Sequence, residues 1–320
     1  MAGLAGAAAF PLAAQAQPAG TPVIGVLSPQ SAGPTTASRM AGFLQGLSEL
    51  KFVPGRNVAI EYRWADGNYD RLRPLADELV GLKVAVIAAT TQDAAIAAKA
   101  ATSTIPIVFN IGGDPVRSGL VASMNRPGGN ATGISMFSSE LEAKRFGLLQ
   151  EMAPGHRTAA LLLNPNHADS DEQLRQLQSA ARGLGMKLRV EHASNDAEID
   201  AAFENFLQGG VKMLLAAADP FLASRREKLV ALAAKYRIPA MWEWPDFVEG
   251  GGLMSYGTNI ADNYRQVGNY TGRVLKGEKP SQLPVMRPVK FELAINLKTA
   301  KTLGLEVPPN ILARADNVIE

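Results

Sequence analysis

Apolar runs that stop abruptly in turn residues recur along this chain, and they constrain its fold more than any other feature. From Ile105 to Pro115 the sequence reads I-P-I-V-F-N-I-G-G-D-P: apolar or ring residues up to Asn110, then a turn through Gly112, Gly113, Asp114 and Pro115. A short apolar run bounded by turn formers reads as a strand buried on both faces of a parallel sheet. The loop after it lies at the strand's carboxyl end, where open α/β sheets bind ligands. The same punctuation returns at Ser28-Pro29-Gln30, Thr90-Thr91-Gln92, Asn164-Pro165-Asn166 and Ala218-Asp219-Pro220.

Helical periodicity fills the intervals. After the strand Val23 to Leu27, the residues Met40, Phe43, Leu44, Leu47 and Leu50 recur on one helical face. A strand from Val58 to Arg63, a helix marked by Leu72, Leu75 and Leu79, a strand from Val84 to Ala88 and an Ala-rich helix ending near Thr102 lead to the Ile105 run. A second series starts after Pro127-Gly128-Gly129-Asn130, with a helix from Glu140 to Met152 and a strand from Thr158 to Leu163. Ser170 with Gln173 reads as a capping box. A strand from Lys187 to His192 precedes a helix start at Asn195 and Glu198. Then come a strand from Val211 to Ala217, a helix from Ala223 to Tyr236 and a strand from Ile238 to Trp242. Strands alternating with helices require parallel neighbours joined by crossovers. The expected fold class is α/β, with two Rossmann-like lobes built on parallel sheets and facing each other.

Composition excludes several functions. At 320 residues the chain suggests two domains, on a prior of roughly 150 residues each. A net charge of +2 from 32 basic and 30 acidic residues, with no Lys/Arg block, argues against nucleic acid as a partner. The absence of cysteine excludes disulfides, thiolate metal sites and a Cys nucleophile, and three scattered histidines make a zinc enzyme improbable. No cofactor is expected. The front differs from the rest: Leu4 to Leu12 is apolar and small, and Ala14-Gln15-Ala16 before Gln17 has the form of a signal-peptidase site, but the first basic residue is Arg39. Residues 1–21 are read as a signal remnant whose start lies upstream, in preference to an Ala-rich tail. No later run approaches the ~18 apolar residues of a membrane span. An exported product would be soluble and, without a cysteine, not lipidated.

The tail is the most specific stretch. From Gly250 it reads G-G-G-L-M-S-Y-G-T-N-I-A-D-N-Y-R-Q-V-G-N-Y-T-G-R-V-L-K-G-E-K-P-S-Q-L-P-V, and it closes with K-F-E-L-A-I-N-L-K-T-A-K-T-L-G-L-E-V-P-P and A-R-A-D-N-V-I-E. With F-N-I-G-G-D-P-V-R-S-G-L-V and R-P-G-G-N-A-T-G-I, these segments resemble substrate-binding proteins of ABC importers of the tryptophan/tyrosine-uptake type, over about residues 22 to 320. The resemblance implies a monomeric periplasmic binding protein of type I with three hinge crossings, near Gly133-Ile134, Gly257-Thr258 and Pro288. Lobe 1 would comprise 22–133 plus 258–287, and lobe 2 would comprise 134–257 plus 288–320. The partners implied are a small polar ligand such as an amino acid or aromatic compound, and a membrane permease. Ligand would shift an open–closed equilibrium by touching both lobes only when they close.

Each candidate ligand contact has a plainer role beside it. Asp114 and Asp219, each before a Pro, could hold an ammonium or be turn formers, in loops expected to be exposed in the open state. Thr90, Thr91 and Gln92 could offer amides to a carboxylate or simply cap a helix. Ser28 and Asn110 end strands, and Asn164 and Asn166 flank a turn proline. Trp242 and Trp244 alternate with Glu243 and could line a cleft or pack in the core. Tyr256 is placed in hinge packing. Enzyme readings are weaker: the chain lacks G-x-G-x-x-G after its first strand, a G-x-x-x-x-G-K-[ST] loop and G-x-S-x-G. A two-lobed enzyme acting on a sugar or sugar nucleotide, with Asp114 and Asp219 as its carboxylates, is the alternative. The ligand-sensing half of a regulator is a third reading, and it would need a helix-turn-helix before Val23.

Overall fold

The computed structural model describes residues 20–320, so the signal-like segment before Gly20 lies outside the described residues. Strands β1 (Val23–Ser28), β2 (Ala59–Trp64), β3 (Val86–Ala89), β4 (Ile107–Ile111) and β5 (Ala131–Ser135) form a parallel sheet in the order β2-β1-β3-β4-β5. Helices α1 (Pro34–Glu49), α2 (Leu72–Gly81) and α3 (Gln92–Ala101) make the crossovers. The side chains alternate between two cores as the pleat requires. Ile24, Val26, Val86, Ala88 and Val108 face α1, while Leu27, Ile87, Ala89, Ile107 and Phe109 face α2 and α3.

The chain then leaves this sheet for α4 (Ser138–Met152), followed by β6 (Thr158–Leu163), α5 (Ser170–Gly183), β7 (Lys187–His192), α6 (Asp196–Gln208), β8 (Leu214–Ala216), α7 (Pro220–Ser224), α8 (Arg226–Lys235), β9 (Ala240–Trp242), α9 (Pro245–Glu249) and β10 (Met254–Thr258). It returns to the first sheet as α10 (Ile260–Leu275) and departs again through 283–290. There Met286 bridges Ile134 and donates its N–H to the Gly133 carbonyl at 2.9 Å. Strand β11 (Phe291–Asn296), α11 (Leu297–Leu303), α12 (Pro309–Leu312) and β12 (Asn317–Ile319) finish the second sheet, in the order β12-β11-β10-β9-β8-β6-β7. Both sheets are dominated by parallel pairs, but β11 runs antiparallel to β10, so the second sheet is mixed.

Helix α10 lies directly on α1. A Cβ at Gly46 would stand 1.9 Å from the Arg265 carbonyl oxygen, and one at Gly268 would stand 2.0 Å from that of Phe43. Two glycines let the backbones touch, which aligns α1 and with it Arg39 in its second turn. Tyr264, Val267, Tyr270 and Val274 of α10 then complete the core beneath α1.

Two local expectations are corrected. Ser170 does not cap α5; it is the first helical residue, and Gln173 donates to the Ala218 carbonyl at 2.7 Å in place of closing a capping box. The helix expected over Ala223 to Tyr236 is broken at Arg225 into α7 and α8. Asp219, whose loop is expected to be exposed in the open state, retains only 3% of its surface in this closed arrangement.

Candidate ligand site between the lobes

The carboxyl ends of strands from both sheets converge on one cavity. It encloses about 460 Å3 of atom-free space including its open mouth. From the first sheet come Gln30 after β1, Thr90, Thr91 and Gln92 after β3, and Asn110 and Gly112 at β4. From the second come His167 after β6, Asp219 after β8, and Glu243 and Trp244 after β9. Arg39 of α1 and Tyr264 of α10 close one side, and Met136 and Ile260 add apolar surface.

The lobes are held shut by polar contacts made across the cleft. Tyr69 donates its hydroxyl to Asp219 Oδ2 at 2.7 Å. His167 Nδ1 meets Asp93 Oδ2 at 2.8 Å, and the Ala168 N–H donates to Asp93 Oδ1 at 2.8 Å. Arg117 reaches Asp169 at 2.8 Å and Glu172 at 3.1 Å. The Arg39 guanidinium lies 4.5 Å above the Trp244 ring and 3.8 Å from Asp246.

Burial sets the electrostatics. Burial alone would push His167 down, but the Asp93 carboxylate outweighs it and, with Asp219 and Asp169, raises it to about 9. Burial raises Asp219, opposed by the charge on His167 and by the Leu222 N–H. Burial also raises Glu243 to about 7, opposed by Arg145 and the Ser138 hydroxyl and reinforced by Glu142. Tyr69 sits well above its ordinary value, first through burial and then through Asp219 and Asp93, so it remains a hydrogen-bond donor.

Among the residues singled out in the sequence, Thr90, Thr91, Gln92, Asn110, Asp219 and Trp244 line this cavity. The other five do not. Ser28 is fully buried and its hydroxyl accepts from the Gln30 N–H at 3.3 Å. Asp114 serves its own turn, accepting from the Val116 N–H at 2.8 Å. Asn164 lies behind Asp219 and donates to it at 3.1 Å, while Asn166 is exposed. Trp242 stacks on Phe247 with ring centroids 4.7 Å apart, inside the core. Thr91 is an N-cap, accepting from the Ala94 N–H at 3.3 Å. Sequence reading missed Gln30, Arg39, His167 and Tyr264 and gave Glu243 no role of its own. The one available signal for Arg39 was its position immediately before the apolar stripe of α1.

Four cavity-lining residues hold buried polar atoms with no hydrogen-bond partner: Gln30 Oε1, Arg39 Nε and Nη2, both amide atoms of Asn110, and Trp244 Nε1. Buried polar groups are nearly always paired, so this set calls for a ligand. Donors dominate it, and one is a guanidinium.

Two α/β lobes linked by three chain crossings and closed over a polar cavity define a solute-binding protein of the type I periplasmic fold. The chain belongs to the ABC transporter substrate binding protein family, matching it over residues 24–319. Members of this family are non-catalytic, extracytoplasmic binding components that pass small molecules to an ABC permease. The Tyrosine-binding protein of Clostridioides difficile (strain R20291) is 26% identical over 273 residues, which is 85% of this chain and 78% of that protein. A conserved domain protein from Vibrio cholerae O1 biovar El Tor superimposes with a TM-score of 0.86 at 28% identity, over 93% of this chain and 99% of that one. The ABC domain from Streptococcus pneumonia in complex with L-Trp gives a TM-score of 0.84 at 24% identity, over 93% and 100% of the two chains.

Proposed function

We propose that this protein is the periplasmic, non-lipidated receptor of an ABC importer for an α-amino acid with a sizeable apolar or aromatic side chain. The observation that carries the ligand class is the set of donors on Arg39 and Asn110 that make no hydrogen bond, which suits a carboxylate. Acidic groups on the opposing wall suit an ammonium, and Trp244, Tyr264, Met136 and Ile260 suit an apolar side chain. The tyrosine named for the relative and the L-Trp in the structural neighbour agree with this class. Residues 22–133 with 258–287 would move as one rigid lobe against 134–257 with 288–320. The protein would act as a monomer, without turnover, after cleavage near Gln17.

A thermal-shift screen of amino acids, aromatic acids and sugars tests the ligand class. A ligand at 100 times its Kd raises stability by about 2.7 kcal/mol, and small-angle scattering should show contraction with the same compound. A shift with sugars alone, or conversion of the binding compound to a product, overturns the reading. Recovery of the Met1 form from the cytosol of a native-like host would remove the periplasmic assignment.

A further inference from the structure

The cavity carries two opposite charges that do not meet. Arg39 from α1 and Glu243 after β9 both line it, and each is 6% exposed. No ion pair joins them among the described residues. Arg39 Nε and Nη2 donate no hydrogen bond, the carboxylate within ion-pair distance being Asp246 at 3.8 Å, and Asn110 beside the same space, 1% exposed, has neither amide atom satisfied. On the opposite wall, Glu243 Oε1 accepts from the Ser138 hydroxyl at 2.6 Å, and Oε2 accepts from no described residue.

The acidic side of the cavity offers two carboxylates, and they differ in what remains open. Asp219 already accepts from the Leu222 N–H at 2.7 Å, the Tyr69 hydroxyl at 2.7 Å and Asn164 at 3.1 Å. Three donors leave little of a carboxylate's capacity for a fourth partner. Glu243 has one full hydrogen bond, and its nearest cation is shared: Arg145 stands 3.7 Å from Glu243 but 3.0 Å from the equally buried Glu142. Two buried carboxylates on one guanidinium lack a positive charge.

We propose that Arg39 and Glu243 form a zwitterion clamp across the lobes: Arg39 with Asn110 takes the ligand's α-carboxylate, and Glu243 takes its primary ammonium. Asp219 holds the lobes together and touches no ammonium. This assignment rests on the amino-acid reading above and adds to it which residue on each wall reads which charge. The rise of Glu243 to about 7, caused by burial against the pull of Arg145, the Ser138 hydroxyl and Arg39, is the behaviour of a carboxyl still short of a cation.

Calorimetry with L-tyrosine and L-tryptophan, their desamino acids and their decarboxylated amines tests the assignment on the intact protein. Wild type should prefer each amino acid over its desamino acid by at least tenfold. Glu243→Gln should collapse that preference by weakening the amino acid alone, Arg39→Gln should weaken the amino acid and spare the amine, and Asp219→Asn should weaken amino acid and desamino acid together. A test without variants uses pH: the amino-acid to desamino-acid affinity ratio should rise between about pH 5 and 7 as Glu243 ionises, while titration of His167 acts on both ligands and cancels. An unchanged preference in Glu243→Gln with a pH-independent ratio overturns this assignment alone, as does a preference lost only in Asp219→Asn. If no α-amino acid binds wild type, the amino-acid reading itself falls, and the clamp with it.

Discussion

The hydroxyl of Tyr69 and the carboxylate of Asp219 belong to different lobes and meet at 2.7 Å, so this bond exists only while the cleft is shut. Asp219 also caps α7 through the Leu222 N–H, which ties a closure contact to the local fold of the second lobe. A hydrogen bond to a charged acceptor contributes about 1.5–3 kcal/mol. Tyr69→Phe should therefore weaken ligand binding by about tenfold or more, read by calorimetry, with little change in the ligand-free unfolding midpoint. An affinity within twofold of wild type would contradict the role given to this contact.

His167 predicts a pH dependence of closure. Its pKa lies at about 9 in the closed cleft against an ordinary 6.5; burial lowers it and Asp93 more than restores it. The contribution is thus complete below pH 6.5 and lost as the pH rises through about 9. The full displacement corresponds to about 3 kcal/mol. Affinity should fall about tenfold between roughly pH 7.5 and 9, a window above the titration of Glu243, and His167→Gln should flatten the decline. Equal slopes in wild type and variant would show that another group is responsible.

The seam between α1 and α10 predicts a stability defect with a functional echo. A methyl group at Gly46 would have to occupy space 1.9 Å from the Arg265 carbonyl oxygen, so Gly46→Ala must push the helices apart. Overpacking of this kind costs about 1–3 kcal/mol, measurable by urea unfolding. Because Arg39 rides on α1, ligand affinity should fall as well. A variant of wild-type stability would show that α10 can shift freely.

Much of this architecture was legible because strand ends announce themselves. Thr90, Asn110 and Asp219 were found by the polar residue that stops a buried run, and all three reach the cavity. The same signal misled at Asp114, whose Asp-Pro pair looks like that of Asp219 but whose carboxylate closes its own turn. Trp242 and Trp244 share one face of their strand, so alternation could not separate them. Trp242 sits within the sheet and Trp244 past its end, and a strand boundary is a tertiary fact. Arg39 was invisible because a lone arginine on an amphipathic helix resembles any solvated charge until the helix is docked. Ser170 looked like a cap because its spacing to Gln173 was right, yet Gln173 turns to the Ala218 carbonyl once the loop after β8 lies beside α5.

The docking of α10 on α1 also dictates when the chain can fold. A ribosome delivers β1 to β5 early, but Tyr264, Val267, Tyr270 and Val274, which cover one face of that sheet, emerge only after most of the second lobe. At about 5–20 residues per second, the interval between Ser135 and Leu275 lasts on the order of ten seconds. Through that time Ile24, Val26 and Val86 have α1 above them but not its partner. The segment made first must therefore wait for sequence made late, and a nascent chain of this design carries its founding sheet only partly covered on one side until α10 emerges.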